Sequence, residues 1–272
     1  MNAPVRTTPS APVLLHEAHG DVVVLTLNRP DARNSLSEAL LAALTERLAA
    51  IAADQRIRVA VLAASGPVFC AGHDLKEMTA RRADSDRGRA YFKQMMDACS
   101  TMMQAIVRCP KPVIAAVQGT ATAAGCQLVA SCDLAVASSA AKFATPGVDI
   151  GLFCSTPMVA LSRNVARKHA MEMLLTGDMV SAEEARSIGL INRVVAPGME
   201  REAALALARQ IASKSALTVK VGKEAFYRQL EMPLAEAYRY TSEVMVENML
   251  ARDAAEGIGA FIEKRTPTWE DR

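Results

Sequence analysis

Two glycine-containing turns hold the residues best placed to do chemistry, Phe69-Cys70-Ala71-Gly72-His73-Asp74-Leu75 and Gly119-Thr120-Ala121-Thr122-Ala123-Ala124-Gly125-Cys126-Gln127. Each follows an apolar strand-like run, residues 59–63 and 113–117, and precedes a helix-like run, so each leaves backbone N–H groups unpaired at a helix start. Two such groups can grip one oxygen, an arrangement suited to a reaction in which that oxygen gathers negative charge. The polar side chains around the turns are few. Gln127 can hydrogen-bond but cannot exchange a proton near neutral pH. His73 carries the imidazole most easily poised there, with a solvent-facing side chain as the plainer reading.

The elements that position these turns follow from the apolar pattern. Strand-like runs at 13–16 and 22–27 flank Gly20 and Asp21, which suits a hairpin. Ser37 is placed to cap a helix whose stripe is Leu40, Leu44, Leu48 and Ile51. A long helix is expected over 84–108, its methionines read as core filler. Pro110 and Pro112 end it, and further strands are expected at 134–137 and 142–144. The strand–turn–helix unit thus recurs, which implies a repeated ββα coil with its loops gathered on one side. After Gly147 the chain turns mostly helical: 155–164, 168–176, 181–188 with a capping box at Ser181 and Glu184, then a strand at 193–196 and helices at 199–213, 216–229, 233–251 and 254–265. The division expected is a disordered leader over 1–12, a core over 13–197 and a helical region over 198–272.

Composition narrows the partners. The chain has 272 residues, a formal net charge of +2 and a 51% hydrophobic share weighted to small aliphatics, which suits a large core and buried subunit contacts. Basic residues are interspersed with acidic ones, so nucleic acid is not expected. Polar interruptions break the long apolar stretch at 112–138, so no membrane span is expected. The six cysteines show no C-x-x-C pair and lie in apolar runs, which points to free thiols without metal and to a cytoplasmic setting.

Read together, Leu27-Asn28-Arg29-Pro30, the run from Phe69 to Met78, Lys111-Pro112 with the strand behind it, Gly125-Cys126, Cys132-Asp133-Leu134-Ala135, and Ala170-Met171-Glu172-Met173 continuing to Asp178 resemble the crotonase superfamily, the enoyl-CoA hydratase/isomerase family. The likeness runs from about Val13 to Lys264. It implies an α/β fold, the crotonase (ClpP-like) spiral of ββα units with a helical C-terminal oligomerisation region, assembled as trimers or dimers of trimers. It also implies an acyl-CoA thioester ligand, in a setting of fatty acid metabolism, with coenzyme A entering as part of the substrate and no separate cofactor. The oxyanion donors map to the backbone N–H groups of His73 and Ala124. Arg33, Ala71, Leu75 and Lys76 map to the coenzyme track, and Phe261 and Lys264 to a nucleotide contact, from this subunit or a neighbour.

The chain departs from that pattern where hydratases carry two glutamates, because Gln127 and Gly147 stand there. General acid–base help contributes roughly 10²- to 10⁴-fold per group, so ordinary hydration is expected to be strongly impaired. Asp149 is the candidate substitute, since an extended 146–150 segment would project 147 and 149 to the same side; a structural hydrogen bond or a subunit contact is the alternative. Cys154, Ser155 and Thr156 form a small polar step without a partner base for nucleophilic chemistry. The reading is an acyl-CoA lyase, isomerase or hydrolase on a hydratase scaffold, with a non-catalytic acyl-CoA-binding or interaction subunit as the alternative. A Ser-His-Asp hydrolase is disfavoured, because no suitably framed serine is present.

Overall fold

Val22–Leu27 is apolar at nearly every position and buried throughout, the pattern of a strand covered on both faces. In the computed structural model, which describes residues 11–272, it is strand β2, paired antiparallel with β1 (Leu14–His19) through a turn at Gly20, φ 69°. The expected leader falls outside the described residues except for its last two. Helix α1 (Glu38–Ala53) starts where the Ser37 hydroxyl accepts from the Leu40 N–H at 3.2 Å, and it buries Leu40, Leu44, Leu48 and Ile51 as expected.

Three ββα turns follow. The first is β3 (Val59–Ala64), β4 (Val68–Cys70) and helices α2 (Leu75–Ala80) and α3 (Arg89–Arg108); the second is β5 (Val113–Val117), β6 (Thr120–Thr122) and α4 (Ala124–Ser131). The third is β7 (Leu134–Ser138), β8 (Lys142–Ala144), a 3₁₀ turn at Pro146–Ile150 and α5 (Pro157–Asn164). Then come α6 (Arg167–Thr176), β9 (Val180–Ser181), α7 (Ala182–Ser187), β10 (Arg193–Val195), α8 (Glu200–Ala212), α9 (Ala216–Gln229), α10 (Leu234–Leu250) and α11 (Arg252–Glu263). First strands of each turn line up in a sheet of order β1-β2-β3-β5-β7-β10, and second strands in a sheet of order β4-β6-β8-β9. This is the expected α/β spiral.

Alternation along the first sheet divides its side chains between two cores. Val23, Leu25, Leu62, Ala115 and Val117 face the main core with Leu44, Met102 and Phe143. Val22, Val24, Val61, Ile114 and Val136 face the other side, where Ala204, Leu205 and Ala208 of α8 cover them. This second core joins strands of the 13–197 segment to α8 of the 198–272 segment. The methionines of α3 do pack: Met95, Met102 and Met103 are buried.

Helix α9 is pinned to the spiral by one ammonium. Lys223 Nζ donates to the carbonyls of Ile106 at 3.1 Å and Lys111 at 3.0 Å and to Asp133 Oδ2 at 2.7 Å. The Tyr227 hydroxyl donates to Asp133 Oδ1 at 3.0 Å, and the Val113 N–H to Oδ2 at 2.7 Å. Burial raises the Asp133 carboxyl and Lys223 opposes that shift. Beyond this anchor, α10 and α11 expose Leu234, Tyr238, Met249, Leu250, Phe261 and Ile262.

Candidate functional site

Strands β4, β6 and β8 run parallel, so their C-terminal ends share one edge, the place where parallel sheets characteristically present ligand-binding turns. The first end leads into Ala71–Asp74. His73 there bridges Leu36: the Leu36 N–H donates to Gly72 O at 2.7 Å and the Asp74 N–H to Leu36 O at 3.1 Å. A parallel bridge of this kind uses the groups on either side of His73, so the His73 N–H has no hydrogen-bond partner among the described residues.

The second end leads into Ala123, whose N–H donates to Ala144 O at 2.9 Å and whose φ of 50° and ψ of −119° are costly for a residue with a Cβ. Ala124 opens α4, so its N–H is one of the orphans of a helix start and likewise has no partner among the described residues. The turns touch. A Cβ placed on Gly72 would lie 3.0 Å from Ala123 Cβ and 3.4 Å from Ala124 N, and one on Gly125 would lie 2.0 Å from Cys70 O. Only glycine allows this approach. The outcome is two unpartnered N–H groups on abutting turns.

A clamp missed in the sequence holds the first turn. Arg29 donates to Asp74 Oδ2 at 2.9 Å and to Ser35 O at 2.6 Å, while Asp74 Oδ1 accepts from the Lys76 N–H at 3.2 Å and so caps α2. Burial would raise the Asp74 carboxyl, but the bonds from Arg29 and the backbone hold it below the ordinary range. Arg29 and Asp74 are 45 residues apart, and nothing local in the sequence pairs them. Glu77, in the first turn of α2, accepts from the Glu38 N–H at 3.0 Å and so serves the start of α1.

Of the proposed coenzyme-track residues, Arg33 and Ala71 are brought together, the Ala71 N–H donating to Arg33 O at 3.1 Å, and Leu75 and Lys76 stand exposed at the start of α2 just beyond. Phe261, 85% exposed, lies on α11, which packs against α10, Lys264 caps the end of that helix, and no hydrogen bond joins either to that cluster among the described residues.

The side chains divide sharply. Gln127 is only 5% exposed, yet neither atom of its carboxamide has a partner among the described residues and Oε1 is sealed from solvent. The His73 imidazole also buries an unpartnered Nε2, and desolvation lowers its pKa, favouring the neutral ring. Asp149 does not fit the expectation made for it. The segment Pro146–Ile150 is a 3₁₀ turn, not an extended strand, so 147 and 149 do not share a face; Asp149 is exposed and its carboxylate oxygens lie 3.2 Å from the Cβ position of Gly177. Cys126, beside Gln127, is pushed up to about 12 by burial, which leaves it an inert thiol. Among the described residues no three His, Cys, Asp or Glu side chains converge as metal ligands, and no helix is long and apolar enough to cross a membrane.

The family model for enoyl-CoA hydratase/isomerase matches residues 17–272. The chain belongs to the enoyl-CoA hydratase/isomerase family. A solved enoyl-CoA hydratase of Mycobacterium smegmatis superposes with a TM-score of 0.91 at 53% identity, covering 95% of this chain and 99% of that one. The solved human enoyl coenzyme A hydratase domain-containing protein 3 gives 0.89 at 46% identity over 94% of this chain and 100% of its own. The curated human protein named enoyl-CoA hydratase domain-containing protein 3, mitochondrial, is 49% identical over 245 residues, 90% of this chain and 79% of its own. The rat and Xenopus laevis proteins of that name also carry the mitochondrial label, at 49% and 46% identity. These family members overturn the expected cytoplasmic setting. The described cysteines are all free and buried, but reduced thiols survive in more than one compartment, so cysteine usage could not tell them apart.

Proposed function

We propose that this family member binds an acyl-CoA thioester and polarises its carbonyl with the backbone N–H groups of His73 and Ala124, on a site that lacks the paired carboxylates of a hydratase. The observation that carries this reading is the pair of unpartnered N–H groups on two touching turns. Aimed at a thioester oxygen, each such donor is worth roughly 3 kcal/mol to an enolate-like state. Arg33 and Lys76, exposed beside the first turn, supply positive charge for the coenzyme phosphates. Gln127 orients a polar group without taking its proton. Coenzyme A enters as part of the substrate. The apolar faces of α10 and α11 support assembly into a homotrimer or a dimer of trimers.

The chemistry fits a lyase, isomerase or hydrolase step that rests on carbonyl polarisation. The bare strand end at Gly147 favours a second reading, an acyl-CoA binder without turnover. Calorimetric titration with butyryl-CoA and absorbance assay with crotonyl-CoA test both. Binding with little loss of enoyl absorbance is expected; hydration at ordinary hydratase rates would refute the role given to Gln127 and Gly147. Turnover of any other thioester in a panel would exclude the binder.

A further inference from the structure

The strand ends after β4 and β6 each place a polar side chain, His73 and Gln127, beside an unpartnered N–H, whereas the end after β8 carries Gly147, which has no side chain. Gly147 is buried there, and its backbone angles do not call for glycine, since it is absent from the positive-φ set. The requirement is steric. A Cβ at Gly147 would lie 2.6 Å from Leu152 O, 2.9 Å from Cys154 Sγ and 3.3 Å from Cys154 N. The loop that causes this bends at Gly151, φ 75°, and is tied down by the Leu152 N–H donating to Gly147 O at 2.8 Å and the Met158 N–H to Cys154 O at 2.9 Å. Cys154 itself is 7% exposed, so its sulfur fills space rather than facing solvent.

We infer that the 151–154 loop, through the Leu152 carbonyl and the Cys154 sulfur, decides which chemistry this thioester site can perform: it occupies the volume that any side chain at 147 would need, and so keeps a carboxylate from this strand end. The inference rests on the acyl-CoA reading above. The bare strand end is therefore architectural, and restoring carboxylates alone does not make a hydratase of it.

Five proteins test this: the native chain, Gly147→Ala, Gln127→Glu, Gln127→Glu/Gly147→Glu, and that double variant with Cys154→Gly. Each is assayed for butyryl-CoA affinity, crotonyl-CoA hydration and thermal unfolding midpoint. Gly147→Ala should lower the midpoint by several degrees. The double variant should hydrate no faster than Gln127→Glu, and removing the sulfur, which leaves the Leu152 carbonyl in place, should recover part of the lost midpoint without raising the rate. Hydration by the double variant well above that of Gln127→Glu would overturn the inference, as would a triple variant no more stable than the double one. If the carboxylate variants do not fold, a Gly147→Ala protein with the native midpoint overturns it alone. Failure of the native chain to bind butyryl-CoA is a different result: it removes the acyl-CoA reading and leaves the steric claim to the Gly147→Ala midpoint.

Discussion

Gly125→Ala probes the contact between the two turns with a single methyl group. The added carbon would sit 2.0 Å from Cys70 O, 2.7 Å from Cys70 C and 2.9 Å from Cys70 Cβ, and two of these are backbone atoms that no rotamer change can move. Relief to an ordinary contact near 3.4 Å requires the first turn of α4 to retreat by about 1.4 Å. Helix propensity alone would make alanine better by about 1 kcal/mol. Overpacking of this kind costs about 1–3 kcal/mol or more, and backbone on one side puts it at the upper end, so a net loss of about 2 kcal/mol is expected. The same retreat carries the Ala124 N–H out of line with that of His73. A neutral hydrogen bond contributes about 0.5–1.5 kcal/mol, so butyryl-CoA affinity should fall about two- to tenfold while affinity for free coenzyme A, which lacks the carbonyl, stays unchanged. Any turnover should fall further, by about 10²- to 10³-fold, because the donor matters most when the oxygen is charged. Thermal unfolding and parallel titrations with both ligands measure this. A Gly125→Ala protein with the native midpoint and native butyryl-CoA affinity would refute the argument that these glycines build the site.

Lys223→Met should destabilise by about 3–5 kcal/mol in chemical denaturation, since it strands Asp133 and two carbonyls in an anchor where the side chains are 7% and 14% exposed. Arg29→Met should cost about 1.5–3 kcal/mol for the lost charged bond to Asp74 and weaken butyryl-CoA binding along with the midpoint; weakened stability at full affinity would detach the clamp from the site. His73 has a depressed folded pKa, so the unfolded chain takes up its proton first: its stability contribution is whole above about pH 6.5 and is lost as pH falls through the lower folded value. His73→Asn should flatten that part of the stability profile, read as midpoints from about pH 7.5 downward. The Asp74 carboxyl is also depressed, so its share persists to about pH 4 and is lost only below it.

Much of the fold could be read before the structure, and the parts that could not share a cause. Long apolar strands such as Val22–Leu27 and Val113–Val117 and the stripe on α1 announce themselves by composition and period. Strands β4, β6 and β9 are three, three and two residues long, too short for any period to register, yet β4 and β6 aim the two turns. Helix α3 was expected from 84 but begins at Arg89, because Asp86 accepts from the Gly88 and Ala90 N–H groups at 2.9 and 2.8 Å and Gly88 sits at φ 83°. The glycine turns were legible since glycine itself reports a close approach. Asp149 was misplaced because two-residue alternation holds only in an extended chain. The Arg29–Asp74 clamp and the Cys154 contact with Gly147 join residues through space, and no local pattern encodes either.

The twisted backbone at Ala123 has one more implication. Its unfavourable angles are held by the Ala144 hydrogen bond and the close approach of Gly72, so on the function proposed above the donor beside it is set by the fold rather than by the ligand. Such a site asks nothing of its side chains at 73 and 124, only of the main chain and the glycines that let it pass. The side chain at 124 answers to the core instead, where Ala124 is fully buried.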